Sequence, residues 1–157
     1  METLRNEETS CYTSLGNVHI SVGEHEKAKE HLEKSVVIQK EIGDRSGEAT
    51  SYANLGAVYT AVGEYEKARE YLEKSLVISK ELGYRNVEAS CYTNLGNVYI
   101  SVGEYEKARE HLEKSIVIQK EIGDRNGEAS SYTNLGAVYT AVGEHEKARE
   151  YISRNHL

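Results

Sequence analysis

The sequence of this chain repeats every 40 residues, and this repeat limits the folds that the chain can adopt. Two motifs carry the repeat, a Leu-Gly pair and the run Gly-Glu-x-Glu-Lys-Ala. The first ends at Gly16, Gly56, Gly96 and Gly136, and the second begins at Gly23, Gly63, Gly103 and Gly143. A fixed period of this length indicates units that stack on one another instead of folding around one closed core. We therefore predict a single array with full units at 11–50, 51–90 and 91–130, a shortened unit at 131–157, and residues 1–10 as the tail of a preceding unit.

Each unit shows the apolar pattern of two helices. In the third unit, apolar residues recur at spacings of three and four across 86–102, and a second stripe runs from Ala108 to Ile122. The chain contains no proline and is rich in glutamate, lysine, alanine and leucine, a composition typical of helices. These patterns predict an all-α fold of about eight helices, arranged as stacked antiparallel pairs.

Glycines and short polar residues mark the ends of the predicted helices. Gly103 separates the two predicted helices of the third unit. Gly123 can adopt the left-handed conformation that often ends a helix, here the second helix of that unit. Asp124 or Asn126 is then placed to cap the next helix. A glycine inside a helix, such as Gly96, costs about 1 kcal/mol relative to alanine. Its recurrence in every unit therefore indicates close contact between the two helix backbones.

The unit resembles a tetratricopeptide repeat. That family's pattern has an aromatic residue, Leu-Gly, a tyrosine, an alanine, a further aromatic residue or leucine, and a small residue. In the second unit these positions are filled by Tyr52, Leu55, Gly56, Tyr59, Ala68, Leu72 and Ser75. The 40-residue length resembles the Leu-Gly-Asn repeats of polarity adaptors and the arrays fused to caspase-like or nucleotide-binding domains, although Tyr84 interrupts the Gly-Asp-Arg signature of such units. The resemblance implies a right-handed α-solenoid that winds into a superhelix.

Charge and hydropathy argue against nucleic acid and membrane as partners. The formal net charge is −7, whereas nucleic-acid binding needs a stripe of lysine and arginine. No apolar run approaches the roughly 20 residues of a membrane span, and no signal peptide is visible. Cys11 and Cys91 stand at equivalent positions two units apart, too far for the Cα separation of about 7 Å that a disulfide allows. We interpret them as reduced, small core residues, which favours a cytoplasmic protein.

No catalytic or metal-binding pattern emerges from the sequence. Histidines such as His25, His31 and His111 stand where sister units have tyrosine, which favours packing over metal binding. No HExxH or paired Cys-x-x-Cys spacing occurs, and the glycines do not form a phosphate-binding loop. We therefore expect neither an enzyme nor a cofactor.

The candidate binding surface is the stripe of the first helix opposite its apolar face. If Leu55, Val58, Tyr59 and Val62 point inward, this stripe is small, polar and almost uncharged. The resemblance implies that it lines a concave groove for peptides, in which asparagine amides hold an extended peptide backbone. The alternative is that these side chains only solvate the helix. The candidate groove residues are Asn17, Thr50, Asn54, Ala57, Thr60, Ser90, Asn94, Asn97, Ile100, Asn134 and Ala137. Ala53 falls on the same stripe.

Three arginines lie near the edge of the predicted groove. Arg45, Arg85 and Arg125 are placed to meet an acidic ligand or to pair with a neighbouring carboxylate. The stripe itself lacks lysine and arginine, which argues against the clamp that binds C-terminal carboxylates in some members of the family.

Two functions remain open at this stage. The first is a scaffold or adaptor that binds a peptide segment of a partner protein in the groove. The second is a self-associating structural module, a homodimer or longer array, that pairs through its uncapped terminal helix pairs.

Overall fold

The computed structural model describes residues 1–154, apart from the side chain of Glu2. Across these residues the chain forms eight helices and no strand, which confirms the predicted all-α repeat fold. The helices are α1 (Glu2–Ser21), α2 (His25–Ile42), α3 (Arg45–Ala61), α4 (Tyr65–Leu82), α5 (Arg85–Ser101), α6 (Tyr105–Ile122), α7 (Arg125–Ala141) and α8 (His145–Ser153). We refer to α1 with α2, α3 with α4, α5 with α6, and α7 with α8 as pairs one to four.

Glycine and aspartate end and begin these helices as predicted. Gly103, between α5 and α6, has a φ of 79°, and Gly123, which follows α6, has a φ of 72°. Asp124 caps α7, because its Oδ1 accepts a hydrogen bond of 2.9 Å from the backbone nitrogen of Gly127. The equivalent Asp44 caps α3 in the same way.

The glycine inside each first helix is required by the helix that packs on it. A Cβ atom added to Gly96 would lie 2.7 Å from Cγ of Leu112, which is fully buried in α6. The backbones of α5 and α6 are also tied by Ser115, whose hydroxyl donates a hydrogen bond of 2.8 Å to the carbonyl of Ala89. Close packing therefore accounts for the unfavourable glycine.

The chain divides into two compact units, Met1–Val87 and Glu88–Leu157. In the first unit, α2 packs against both α1 and α3, and α4 packs against α3. In the second unit, α7 packs against both α6 and α8. Helix α1 runs without a break from Glu2 to Ser21, into the first predicted repeat.

Tertiary surroundings override the sequence pattern at three positions. Cys91 is fully buried, but the equivalent Cys11 is exposed, so its assignment to the core was wrong. The reason is that no element among residues 1–154 covers that side of α1. Val62 was expected to point inward but is 37% exposed, because α3 ends one residue earlier. Ala53 was placed on the open stripe but is buried.

Candidate functional site

The candidate groove residues of the first unit lie on α1 and α3, which pack side by side. Asn17 is exposed, whereas Thr50, Asn54, Ala57 and Thr60 are half-buried. The two threonine hydroxyls donate to carbonyls one turn earlier in α3, so neither proton is turned outward. These candidate residues are uncharged, and none of them is fully buried.

In this unit the structure pairs two of the predicted asparagines. Nδ2 of Asn54 donates a hydrogen bond of 2.8 Å to Oδ1 of Asn17. The pair links α1 to α3 and orients both amides. One N–H of Asn54, both N–H groups of Asn17 and the remaining oxygen lone pairs lie outside this bond.

The second unit repeats this arrangement. Nδ2 of Asn134, on α7, donates a hydrogen bond of 2.7 Å to Oδ1 of Asn97, on α5. The other candidate residues of this unit are exposed or half-buried, and they are Ser90, Asn94, Ile100 and Ala137. These asparagines were predicted from the sequence one at a time, and their pairing between helices was not.

The edge arginines Arg45 and Arg125 pair with carboxylates of their own unit. Arg45 donates hydrogen bonds of 3.0 Å to Glu48 and 3.4 Å to Glu81. Arg125 lies 3.7 Å from Glu128. Arg85 is the first residue of α5. For Arg45 and Arg125, the pairing alternative considered from the sequence is the arrangement seen.

A cleft of about 420 Å³ opens between the first halves of α1 and α3, and the sequence did not predict it. Thr9, Thr13, Asp44 and Thr50 lie in its walls, together with Gln39 from the end of α2. Gln39 is only 2% exposed, and its Oε1 accepts no hydrogen bond from the residues the structure describes. A buried polar atom without a partner is energetically costly.

Residues 1–154 contain no group of three or more histidine, cysteine, aspartate or glutamate side chains able to hold a metal ion. None of the eight helices has the length and apolar character that crossing a membrane requires.

Comparison with known families settles what kind of repeat this is. The family model for the tetratricopeptide repeat matches residues 8–81 and 87–154, which is most of the chain. This chain belongs to the tetratricopeptide repeat family. The family assignment confirms the resemblance drawn from the Leu-Gly, tyrosine and alanine positions of the repeat.

Several solved structures share the fold of this tetratricopeptide repeat chain. BtubC (BKLC) from P. vanneervenii is 28% identical, with a TM-score of 0.84 over 94% of this chain and 61% of BtubC. MamA is also 28% identical, with a TM-score of 0.71 over 94% of this chain and 75% of MamA. A Rap protein complexed with competence and sporulation factor is 17% identical, with a TM-score of 0.85 over 94% of this chain and 42% of the Rap chain.

The chain thus spans less than two thirds of the BtubC and Rap chains. A comparison with curated protein sequences gave no significant match.

Proposed function

We propose that this tetratricopeptide repeat chain is a protein-interaction scaffold that binds an extended peptide segment of a partner along its first helices. The observation that carries the proposal is the pair of bridged asparagines in each unit, Asn17 with Asn54 and Asn97 with Asn134. An extended peptide offers alternating N–H and C=O groups, and the unused donors and acceptors of a bridged amide pair match both.

The surroundings of each pair favour a peptide over a highly charged ligand. The neighbouring side chains are small or uncharged, including Ala57, Thr60 and Ala137, so a peptide backbone can approach the helix surface. Arg45 and Arg125 are engaged by carboxylates at the edge. The solved Rap complex supports the proposal, since a chain of this fold there holds competence and sporulation factor.

Selection from a random displayed peptide library tests the proposal. Selected peptides are expected to bind the purified chain and to lose at least about tenfold in affinity when Asn54, Asn94 and Asn134 are together replaced by alanine, since each buried hydrogen bond is worth about 1 kcal/mol. Affinity would be measured by fluorescence anisotropy, and circular dichroism would confirm that the variant remains folded.

A matched control replaces Val37, Val77 and Val117 together by alanine. These valines also recur once per repeat and are exposed, but they lie on the second helices. Binding that survives the valine replacement and fails in the asparagine variant supports the proposal. The reverse result would place the partner on the second helices and contradict it.

Self-association is a second candidate, and one observation favours it. Leu15 and Val18 on α1 are 43% and 57% exposed, whereas the equivalent Leu55 and Val58 on α3 are each 1% exposed. Covering such an apolar face with a second copy would be favourable by about 25 cal/mol per Å² of area removed from water. Light scattering across a dilution series is expected to show a dimer that Leu15→Ser with Val18→Ser disrupts, and a constant monomer mass would exclude this candidate.

A further inference from the structure

The first helices of the four pairs alternate between two kinds of surface. In pairs one and three the first helix carries asparagine and, one turn later, isoleucine, whereas pairs two and four have alanine and threonine at the same positions. The four sets are Asn17 with Ile20, Ala57 with Thr60, Asn97 with Ile100, and Ala137 with Thr140. Alanine has no polar side-chain atom, so a bridge of this kind can form once in every two repeats.

In the first unit, an isoleucine lies next to the asparagine bridge. The bridge joins Asn17 to Asn54 across 37 residues, and Ile20 is separated from Ala57 by the same number. Since both residues lie one turn further along the same two helices, the register that pairs the asparagines also brings Ile20 next to Ala57. Ile20 is only half-buried, so part of its aliphatic side chain is exposed to water beside the bridge.

The hydroxyl groups near this bridge are already engaged within their own helices. Ser21 donates a hydrogen bond of 3.0 Å to the carbonyl of Asn17, and Thr60 donates one of 2.8 Å to the carbonyl of Gly56. None of these side chains is charged. The surface therefore offers amide groups that match a peptide backbone and an aliphatic patch that matches one side chain, but no partner for a charged group.

The second unit contains the same arrangement. Its bridge between Asn97 and Asn134 measures 2.7 Å, and Ile100 is again half-buried. The hydroxyls of Ser101 and Thr140 donate to carbonyls one turn earlier, at 3.0 Å and 2.8 Å. The sequences that build the two surfaces agree almost completely. Residues 134–143 are identical to 54–63, and residues 95–103 differ from 15–23 only in having tyrosine in place of histidine at one position.

We propose that these surfaces are two equivalent subsites, one in each unit, and that each binds a short extended segment through its backbone and one aliphatic side chain. Subsite one consists of Asn17, Ile20, Asn54 and Ala57, and subsite two consists of Asn97, Ile100, Asn134 and Ala137. The inference rests on the proposed function and adds to it the number of segments bound and the side chain selected. Covering the isoleucine removes apolar area from water, whereas a charged side chain there would lose water without gaining a partner.

Nuclear magnetic resonance titration of the ¹⁵N-labelled full chain tests the proposal. The probes are three capped pentapeptides, alanine throughout except for a central isoleucine, alanine or lysine. The isoleucine peptide is expected to shift the side-chain amides of both bridges, with dissociation constants that agree within about threefold. The alanine and lysine peptides are expected to bind at least about tenfold more weakly, because they bury less apolar area or strand a charge.

Two single variants assign the binding to the separate subsites. Ile20→Thr and Ile100→Thr each introduce the residue that pairs two and four already have at this position. Each variant is expected to weaken binding about tenfold at its own subsite and to leave the other subsite unchanged. Val117→Thr is the matched control, since it removes an exposed aliphatic side chain from α6 and should leave both subsites unchanged.

Three results would overturn the proposal. They are shifts at one bridge only, equal binding of the three peptides, and binding at a subsite that ignores its own isoleucine variant. Circular dichroism would confirm that each variant remains folded.

These outcomes separate the subsites from the groove as a whole. Library peptides that depend on the asparagines but bind once per chain and ignore both isoleucine variants would leave the peptide-binding scaffold standing and remove the two subsites. Pentapeptide shifts centred on the second helices, together with library peptides that ignore the asparagine variant, would remove both.

Discussion

Gln39 and Asp44 leave no room for a side chain at Gly47, because a Cβ atom there would lie 2.8 Å from Nε2 of Gln39 and still closer to Oδ2 of Asp44. The third pair repeats the relationship, with the same 2.8 Å between a Cβ on Gly127 and Nε2 of Gln119. The second pair has a smaller residue at the first position, Ser79, and a larger one, valine, at the second. Glutamine with glycine and serine with valine are thus two alternative ways of filling the same corner of a repeat.

The first prediction concerns Gly127→Val. The added side chain would meet both Gln119, which is buried, and the carboxylate of the capping Asp124. We expect the free energy of unfolding to fall by about 1–3 kcal/mol, the usual cost of overpacking. Urea denaturation monitored by circular dichroism measures the change.

A double-mutant cycle provides the control for this prediction. A Gln119→Ser background removes the clash with the glutamine and keeps that with Asp124, so the valine should cost less, with a coupling energy of about 0.5–3 kcal/mol. Equal costs in both backgrounds would show that the glutamine and the glycine are independent, and would remove the packing explanation for their alternation.

Gly96→Ala is predicted to destabilise the chain, although alanine is normally the better helix former. The new Cβ would lie 2.7 Å from Cγ of Leu112 and 3.5 Å from the carbonyl oxygen of Ala108. Strain against a buried leucine is expected to exceed the gain of about 1 kcal/mol in helix propensity. The expected result is a net loss of about 1 kcal/mol or more, measured by urea denaturation. Ser101→Ala, at an exposed position of the same helix, should change stability by less than about 0.5 kcal/mol.

Most of the fold could be predicted because its determinants are local. The third unit was predicted to have a first helix across 86–102 and a second ending near Ile122, and the structure has Arg85–Ser101 and an end at Ile122. A glycine in left-handed conformation and an aspartate cap act within one turn of the chain. Both the glycine and the aspartate cap can therefore be predicted from the spacing of residues in the sequence.

The contacts of the candidate site could not be predicted in the same way. Asn17 and Asn54 bond across 37 residues, three fewer than the repeat length, so aligning the units does not bring them together. Gln39 is a polar residue near the end of a helix, so the sequence suggests that it faces solvent. The neighbouring first helices nevertheless bury it. Both features depend on how one helix pair packs against the next, and the sequence alone does not specify that packing.

Deprotonation of Tyr59 is predicted to lower the free energy of unfolding at high pH. Burial, and then the carboxylate of Glu33, raise the pKa of its phenol, which donates a hydrogen bond of 3.3 Å to Glu33. Because the folded pKa lies above the unfolded value of about 10, the stabilisation is complete below pH 10 and is lost as pH rises toward the folded pKa. Each pH unit in that interval removes at most about 1.4 kcal/mol.

Tyr59→Phe tests this dependence. The variant should lose less free energy of unfolding than the parent between neutral pH and pH values above about 10, measured by urea denaturation at each pH. Parallel pH profiles for the two proteins would show that Tyr59 contributes nothing to the alkaline loss.

The two cysteines should differ sharply in reactivity despite their equivalent positions in the repeat. Cys11 is exposed on α1 and Cys91 is fully buried on α5. A thiol reagent such as dithiobisnitrobenzoate should therefore label one thiol rapidly in the native chain and the second only as the protein unfolds, at a rate limited by opening of the structure. Cys11→Ser should abolish the fast phase and leave the slow one. Two fast phases in the parent chain would mean that the helices around Cys91 open far more readily than their packing implies.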